Sequence, residues 1–471
     1  MTSVMWFRRD LRLEDNTALY NAMQSSNDLI CVFHINPEQL EATPTLNQST
    51  FFKSVQQLKL ELAEHNIALN ILYGDIYDAF RELKNKLSKA DGIYFNFDEN
   101  GFGRSRDQEM AQFLEQDLNF DVHPYSDHYL HGAKEIKKND GSGYKVFTPY
   151  YRQWVKLEKR KPLSYEIESN KFRSETLIDY SDKLSELIHQ DEVLNQIKVG
   201  ANNAQIRLND FVHYHLKDYE RMRDIPSVNG TSRLSQFLRT GEISIRQVYQ
   251  KVINQPDSDG KKTFIQELCW RDFYNMIYTM YPNQKEVSIK EDFQQIKWDN
   301  NEENFKAWKN GETGFPIVDA AMHQLNQTGW MHNRLRMIVA SFLVKDLLID
   351  WRWGEQYFHE KLVDYDPASN IGGWQWSAST GTDSVPYFRI FNPTLQSQRF
   401  DKNGDFIKQY LPQLSRINNQ KIHEPQTLNI AEQQKFGIKI GSDYPLPIIN
   451  HKEARKRVLD VYKTSKESLK N

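Results

Sequence analysis

VMWF (Val4–Phe7), LICVF (Leu29–Phe33), IALNIL (Ile67–Leu72), IYFNF (Ile93–Phe97) and FDVH (Phe120–His123) are five short apolar runs spread along the start of the chain. Each is rich in β-branched or aromatic side chains, which suit a strand. The stretches between them have helical spacing. In Phe52–Ala63, for instance, Phe52, Val55, Leu58 and Leu62 share one face. Strand and helix in alternation predict an α/β domain, a doubly wound parallel sheet with helices on both sides. Such a sheet can hold a small molecule at the carboxyl ends of its strands. No phosphate-binding glycine fingerprint follows the first run, so no dinucleotide site is expected there.

This pattern covers residues 1–130. Beyond it, KKNDGSGYK (Lys137–Lys145) reads as a turn-rich loop, and Ser164–Ala204 is polar and weakly periodic. Residues 131–205 are therefore expected to be a connector wrapping the surface. Residues 206–471 are mostly helical in pattern, with Phe264–Tyr281, Pro316–Leu325 and Met331–Ile349 the clearest helices. They predict a larger all-α domain, with loops at Asn310–Gly314 and Asp364–Gly373. A chain of 471 residues is more than one core usually organises.

Apolar residues at 39% and charged residues at 26% suit a globular protein in water. The net charge of −3 neither suggests nor excludes nucleic acid, because phosphate contacts need only a local basic patch. Cys31 and Cys269 sit in apolar runs and read as buried thiols, which fits a reducing compartment. MTSVMWFRRDLRL lacks the apolar core of a signal peptide. Met331–Ile349 carries Arg334, Arg336, Lys345 and Asp346, too many charges for a membrane span. A cytoplasmic protein is expected.

Four stretches carry residues suited to chemistry. In GTSRLSQFL (Gly230–Leu238), Thr231 and Ser232 are good helix-cap residues, and a helix start attracts anions. Arg221, Arg223, Arg233 and Arg239 cluster there and suit phosphates; an ordinary cap is the plainer alternative. In ELCWRDFY (Glu267–Tyr274), Glu267, Trp270 and Tyr274 share a helix face. A carboxylate beside a flat ring can recognise a planar heterocycle, although a surface Glu beside a core Trp looks the same. In TGWMHNRLRM (Thr328–Met337), Asn333 and Met337 face one way and Arg334 and Arg336 different ways, while His332 is left without a role. Asn370–Trp376 (NIGGWQW) offers an amide, two glycines and two tryptophans. Trp374 and Trp376 would share a face on a strand and diverge on a helix. Nothing here resembles a nucleophile elbow, a Ser-His-Asp set or a metal-ligand cluster.

Taken together, these stretches identify the chain as resembling the DNA photolyase/cryptochrome family, in particular the bacterial class I cyclobutane pyrimidine dimer photolyases. WFRRDLRLEDNTAL (Trp6–Leu19) is similar to the family's opening strand and helix, and YKVFTPYYRQW (Tyr144–Trp154) to its connector. TSRLS, ELCWRDFY, TGWMHNRLRM and NIGGWQW follow in the family's order and spacing. The resemblance implies a deoxyribodipyrimidine photo-lyase, in which reduced, anionic FAD passes an electron under light to a pyrimidine dimer in DNA. It also implies that the dimer is flipped out of the duplex, because photolyases are among the enzymes that extrude the base they act on. A monomer is expected, associated with the nucleoid when bound to DNA.

By matched position, the resemblance assigns FAD to Tyr219, Thr231, Ser232, Arg233, Leu234, Ser235, Phe264, Arg336, Asp364, Asp366 and Asn370. Asn370 matches the residue facing flavin N5, and Phe264 stands where relatives carry a Trp. The lesion would meet Glu267, Trp270, Asn333, Met337 and Trp376, with Trp270 and Trp376 as the two wedging rings. Trp374, Trp351 and Trp298 match an electron relay that reduces the flavin, and Arg223, Arg271, Arg334 and Gln396 match DNA contacts. No metal is implied. A second, antenna chromophore would be either 5,10-methenyltetrahydrofolate or a deazaflavin/flavin. Phe102 and Gly103 in NGFGRSRD replace the Asn-Glu pair of folate-binding relatives.

Three alternatives compete with this reading. A cryptochrome is disfavoured by Asn370, by the intact Trp270 and Trp376, and by the absence of a long tail after the helical region. A (6–4) photolyase needs paired histidines where Asn333 and Met337 stand. A non-catalytic nucleic-acid-binding module does not explain the tryptophan relay or the FAD loop.

Overall fold

The structure, a computed structural model, describes residues 2–189 and 191–468. Five parallel strands form one sheet: β1 (Thr2–Phe7), β2 (Asp28–Ile35), β3 (Leu69–Tyr73), β4 (Ala90–Asn96) and β5 (Asp121–Tyr125), in the order β3-β2-β1-β4-β5. Alternate side chains go to opposite faces. Met5, Phe7, Cys31 and Phe33 enter one core with the helices α1 (Thr17–Ser25) and α2 (Leu46–Glu64), where Phe52, Val55, Leu58 and Leu62 are buried. Val4, Trp6, Ile30 and Val32 enter the other with α3 (Ile76–Lys86) and α4 (Gly101–Gln116). The predicted doubly wound sheet is present, with strand ends shifted by a few residues.

The strand order reverses between β1 and β4, and the carboxyl ends of these strands are crowded with charge. Arg8 pairs with Asp107, Arg9 with Asp98 at 2.5 Å, and Arg106 with Asp98 at 3.0 Å. Burial alone would raise the Asp98 carboxyl, but Arg9 and Arg106 bring it well below the ordinary range. Gly103 is glycine because Asp98 lies against it: a Cβ there would meet Asp98 Oδ2 at 2.3 Å. Phe102 is exposed.

The described residues fall into two compact units. The first comprises residues up to Lys217 together with Ser232–Met280 and Val363–Asp366. It holds the sheet, and it also holds residues expected to be a surface wrapping. Phe172, Leu184, Ile188, Leu194, Ile197 and Val199 are buried in the α1–α2 core, so the polar composition of 164–204 hid a spaced set of apolar anchors. The second unit comprises Asp218–Thr231, Tyr281–Leu362 and the residues from Pro367 on. Its helices include Glu302–Asn310, Pro316–Thr328, Asn333–Ser341, Trp351–Lys361, Pro367–Ala378, Pro393–Phe400 and His451–Ser468. Gly311 and Gly329, with φ of 71° and 66°, end the first two of these in the left-handed conformation that closes a helix.

The expected helix Met331–Ile349 is not one element. It starts at Asn333 because the His332 ring caps it, Nδ1 accepting from the Arg334 N–H at 3.1 Å. After Ser341 it widens into a π-helical turn, Phe342–Asp346. That turn buries Lys345, whose Nζ lies 3.6 Å from the centre of the Tyr462 ring and donates to Ser379 Oγ at 3.0 Å. Among the described residues, no helix is long and apolar enough to cross a membrane. Cys31 and Cys269 are free and buried, and burial raises both thiols.

Candidate functional site

In the first unit the Asp259–Met280 helix carries Phe264, Glu267, Trp270 and Arg271. Phe264 is buried against Phe211, ring centres 4.6 Å apart. Glu267 and Trp270 are half-buried. Arg271 donates to the carbonyls of His128 at 2.5 Å and Leu238 at 3.3 Å, and lies over the Tyr129 ring.

The TSRLS stretch does not cap a helix through Thr231 or Ser232. The helix begins only at Ser235, Leu234 occupies the cap position without a side-chain bond, and Ser232 Oγ accepts from Leu234 N at 3.4 Å within the turn. Arg233 takes a φ of 50°, uncommon for a residue with a Cβ, and is exposed. Ser235 Oγ donates to the buried Asp364 at 2.6 Å, which joins two of the expected cofactor residues. Asp366 lies 3.8 Å from Arg9. Near both acids, Arg239 has a buried Nη1 with no hydrogen-bond partner among the described residues, and burial, aided by Arg9, lowers its guanidinium to about 10. An anion placed there would satisfy that donor.

In the second unit the loop expected over Asp364–Gly373 turns helical at Pro367, because proline suits the first turn of a helix. The helix decides how NIGGWQW is used. Trp374 and Trp376 diverge: Trp374 is 2% exposed among Trp308 and Phe358, while Trp376 is half-buried. Asn370, Gly373 and Trp374, three and four residues apart, share a face. Asn370 Nδ2 donates to Glu355 Oε1 at 3.1 Å, so its carbonyl oxygen is left to accept from a ligand. Above Gly373 a Cβ would find none of the described residues within 4 Å, an open approach to the helix backbone.

The Trp374 ring lies on the Trp351–Lys361 helix. A Cβ on Gly354 would meet Trp374 Cη2 at 2.1 Å, one turn from Trp351. Trp351 is fully buried. Among the described residues, the indole N–H groups of Trp351 and Trp374 have no hydrogen-bond partner. Trp298 is half-buried and meets Tyr462 edge-on at 6.3 Å. On the Asn333–Ser341 helix, Asn333, Arg336 and Met337 share a face; Asn333 is exposed and the other two half-buried. Arg336 Nε donates to Met331 O at 2.9 Å. Arg334 pairs with Asp224 at 2.8 Å and lies over Phe400, so a phosphate would have to compete with Asp224. Arg223 lies over the ring of the buried Tyr219, and Gln396 sits on the Pro393–Phe400 helix.

Glu355 and Gly354 were not singled out from the sequence, although WRWGE places them beside Trp351. The first unit offers serine hydroxyls and a buried guanidinium with an N–H unpartnered among the described residues. The second offers an amide acceptor and an open glycine face. The first set suits a phosphate and the second a flat ring, and FAD carries both. Among the described residues, no group of three or more His, Cys, Asp or Glu could hold a metal ion.

Two family models match the chain. "DNA photolyase" covers residues 3–166, and "FAD binding domain of DNA photolyase" covers residues 264–464. The deoxyribodipyrimidine photo-lyase of Alkalihalophilus pseudofirmus is 43% identical, covering 98% of each chain. That of Escherichia coli is 38% identical, covering 99% of each. Among solved structures, a bacterial class III photolyase from Agrobacterium tumefaciens superposes with a TM-score of 0.92 at 34% identity, covering 99% of this chain and 98% of that one. An archaeal photolyase from Sulfolobus tokodaii, solved with two FAD molecules, gives 0.83 at 33% identity and covers 98% of this chain and 100% of its own.

Proposed function

The chain belongs to the DNA photolyase family, and from that premise we propose which of its residues do what. Its activity is that of a deoxyribodipyrimidine photo-lyase: light-driven electron transfer from reduced FAD splits cyclobutane pyrimidine dimers in DNA. FAD supplies the light absorption and the electron when bound, and the chain supplies position and electrostatics. Tyr219, Thr231–Ser235, Phe264, Arg336, Asp364, Asp366 and Asn370 hold it. The observation that carries this assignment is the face of the Pro367–Ala378 helix, with Asn370 fixed by Glu355, open space over Gly373, and Trp374 seated on Gly354. Asn370 offers a carbonyl oxygen and no acidic proton, so it accepts from a ligand N–H and protonates nothing.

Glu267, Trp270, Asn333, Met337 and Trp376 receive the dimer, flipped from the duplex. Arg223, Arg271, Arg334 and Gln396 meet the DNA around it. Trp374, Trp351 and Trp298 carry electrons inward to reduce the cofactor, separately from repair. The protein works as a monomer in the cytoplasm, bound to the nucleoid when on DNA. An antenna chromophore, either 5,10-methenyltetrahydrofolate or a deazaflavin/flavin, is the second ligand to look for.

Two expected outcomes test this division. Gly373→Ala meets no atom of the described residues within 4 Å and removes a helical glycine, so the apoprotein should gain up to ~1 kcal/mol. The same methyl should lower the FAD bound per chain, read from absorbance. Full loading with FAD would remove this face from the cofactor site. Glu267→Ala should lower repair yield more than affinity for dimer-containing DNA, because an acid acting on the reacting lesion contributes beyond binding. Equal losses would make Glu267 a binding residue only.

A further inference from the structure

The helix Phe147–Trp154, within YKVFTPYYRQW, contributes none of the residues assigned to FAD, lesion or DNA. Phe147, Tyr150, Tyr151 and Trp154 fall three, four and seven residues apart, on one face. At its far end the fully buried Trp154 donates Nε1 to Asp272 Oδ2 at 2.8 Å, and Asp272 also receives the His131 N–H at 3.0 Å. That bond fixes the register of this helix against Asp259–Met280. At the near end the Phe147 ring lies flat on Trp270, centres 3.7 Å apart and planes 4° from parallel. Phe273 meets both rings edge-on, at 5.7 Å and 84° for Phe147 and 5.5 Å and 87° for Trp270. Tyr151 also stacks on Phe147, at 5.8 Å and 17°.

An indole has two faces; Phe147 covers one of those of Trp270, and the Tyr274 ring lies tilted beside the indole, centres 5.5 Å apart at 30°. Phe147 is itself buried, at 8% exposed, whereas Trp270 is half-buried and keeps surface open. We infer that Phe147 is a positioning residue for lesion recognition: it holds the Trp270 plane so that the part of the indole left exposed meets the flat bases of a pyrimidine dimer. This rests on Trp270 being a lesion-stacking residue. An indole without a backing ring would have to be ordered when the dimer binds, whereas a backed one is ordered beforehand. Stacking on the part left exposed is then gained at little further cost.

The test is binding in the dark of FAD-loaded protein to duplexes with and without one thymine dimer. Phe147→Leu keeps apolar bulk and removes the plane, and Phe147→Met does the same should the first variant not fold. Either should weaken dimer binding roughly three- to tenfold, the range for ordering one side chain on binding, and leave undamaged DNA unaffected. Phe147→Tyr should restore dimer binding. In a Trp270→Ala background, Phe147→Leu should add no further loss, since the residue it positions is gone. Unchanged dimer affinity in Phe147→Leu, with a loss in Trp270→Ala, would overturn the role of Phe147 alone. Equal losses in both backgrounds would overturn it too, because the effect would not pass through Trp270. Unchanged affinity in Trp270→Ala would instead overturn the lesion-stacking reading and the inference with it.

Discussion

Trp298→Phe is expected to abolish photoreduction of bound, oxidised FAD and to leave repair intact once the flavin is reduced chemically. Trp374 and Trp351 are buried, and their N–H groups have no acceptor among the described residues. An electron lost from either leaves a cation with nowhere to send its proton, so the vacancy returns or moves on. Trp298, half-buried, can release a proton to water and hold the charges apart. Phenylalanine is much harder to oxidise and keeps an aromatic ring in place, so the fold is spared. The measurement is bleaching of the oxidised flavin band under blue light with an external reductant, followed by repair after chemical reduction. Bleaching at the wild-type rate would place the relay elsewhere. Loss of both activities would make Trp298 structural.

Gly354→Ala should damage both stability and the relay. Its methyl would lie 2.1 and 2.5 Å from Trp374 ring carbons and 2.6 Å from Leu343 Cδ2. Alanine gains up to ~1 kcal/mol of helix propensity, whereas forcing a methyl into a filled core costs about 1–3 kcal/mol or more. The site is closed on several sides: Trp308 and Phe358 flank Trp374, and the indole has little room to retreat. The net effect should be a lower melting temperature and slower photoreduction. Dimer binding, proposed to draw on Glu267, Trp270, Asn333, Met337 and Trp376, should fall less than photoreduction in the surviving folded fraction. Unchanged melting and photoreduction would show that Trp374 does not rest on this glycine.

Much of the architecture was legible in the chain because it is written as periodicity. Val4 and Trp6 point one way and Met5 and Phe7 the other, and the cores on the two sides of the sheet keep that parity. What the pattern could not give were features set by side-chain bonding or by distant contacts. Thr231 and Ser232 have the chemistry of caps, yet the turn that Arg233 makes delays the helix to Ser235. His332, left without a role in the sequence, spends Nδ1 on a helix start. Residues 164–204 read as polar wrapping because their buried anchors are widely spaced. Arg334 looked free for phosphate, but Asp224, distant in sequence, is its partner in the fold.

The candidate site divides in the same way. Local motifs pointed to Asn370, Trp374 and Trp376, and helical geometry fixed how the two rings diverge. Glu355, Gly354 and Phe147 have no motif of their own. Each matters only through the residue it touches: an amide, an indole edge and an indole face.

The most direct measurement is illumination of the reduced, FAD-loaded protein with a duplex containing one thymine dimer, with the dimer counted before and after. The expected result is light-dependent loss of the dimer with two intact thymines recovered, and no change in the dark. Dimers left intact under blue light, with the flavin reduced and the DNA bound, would contradict the account.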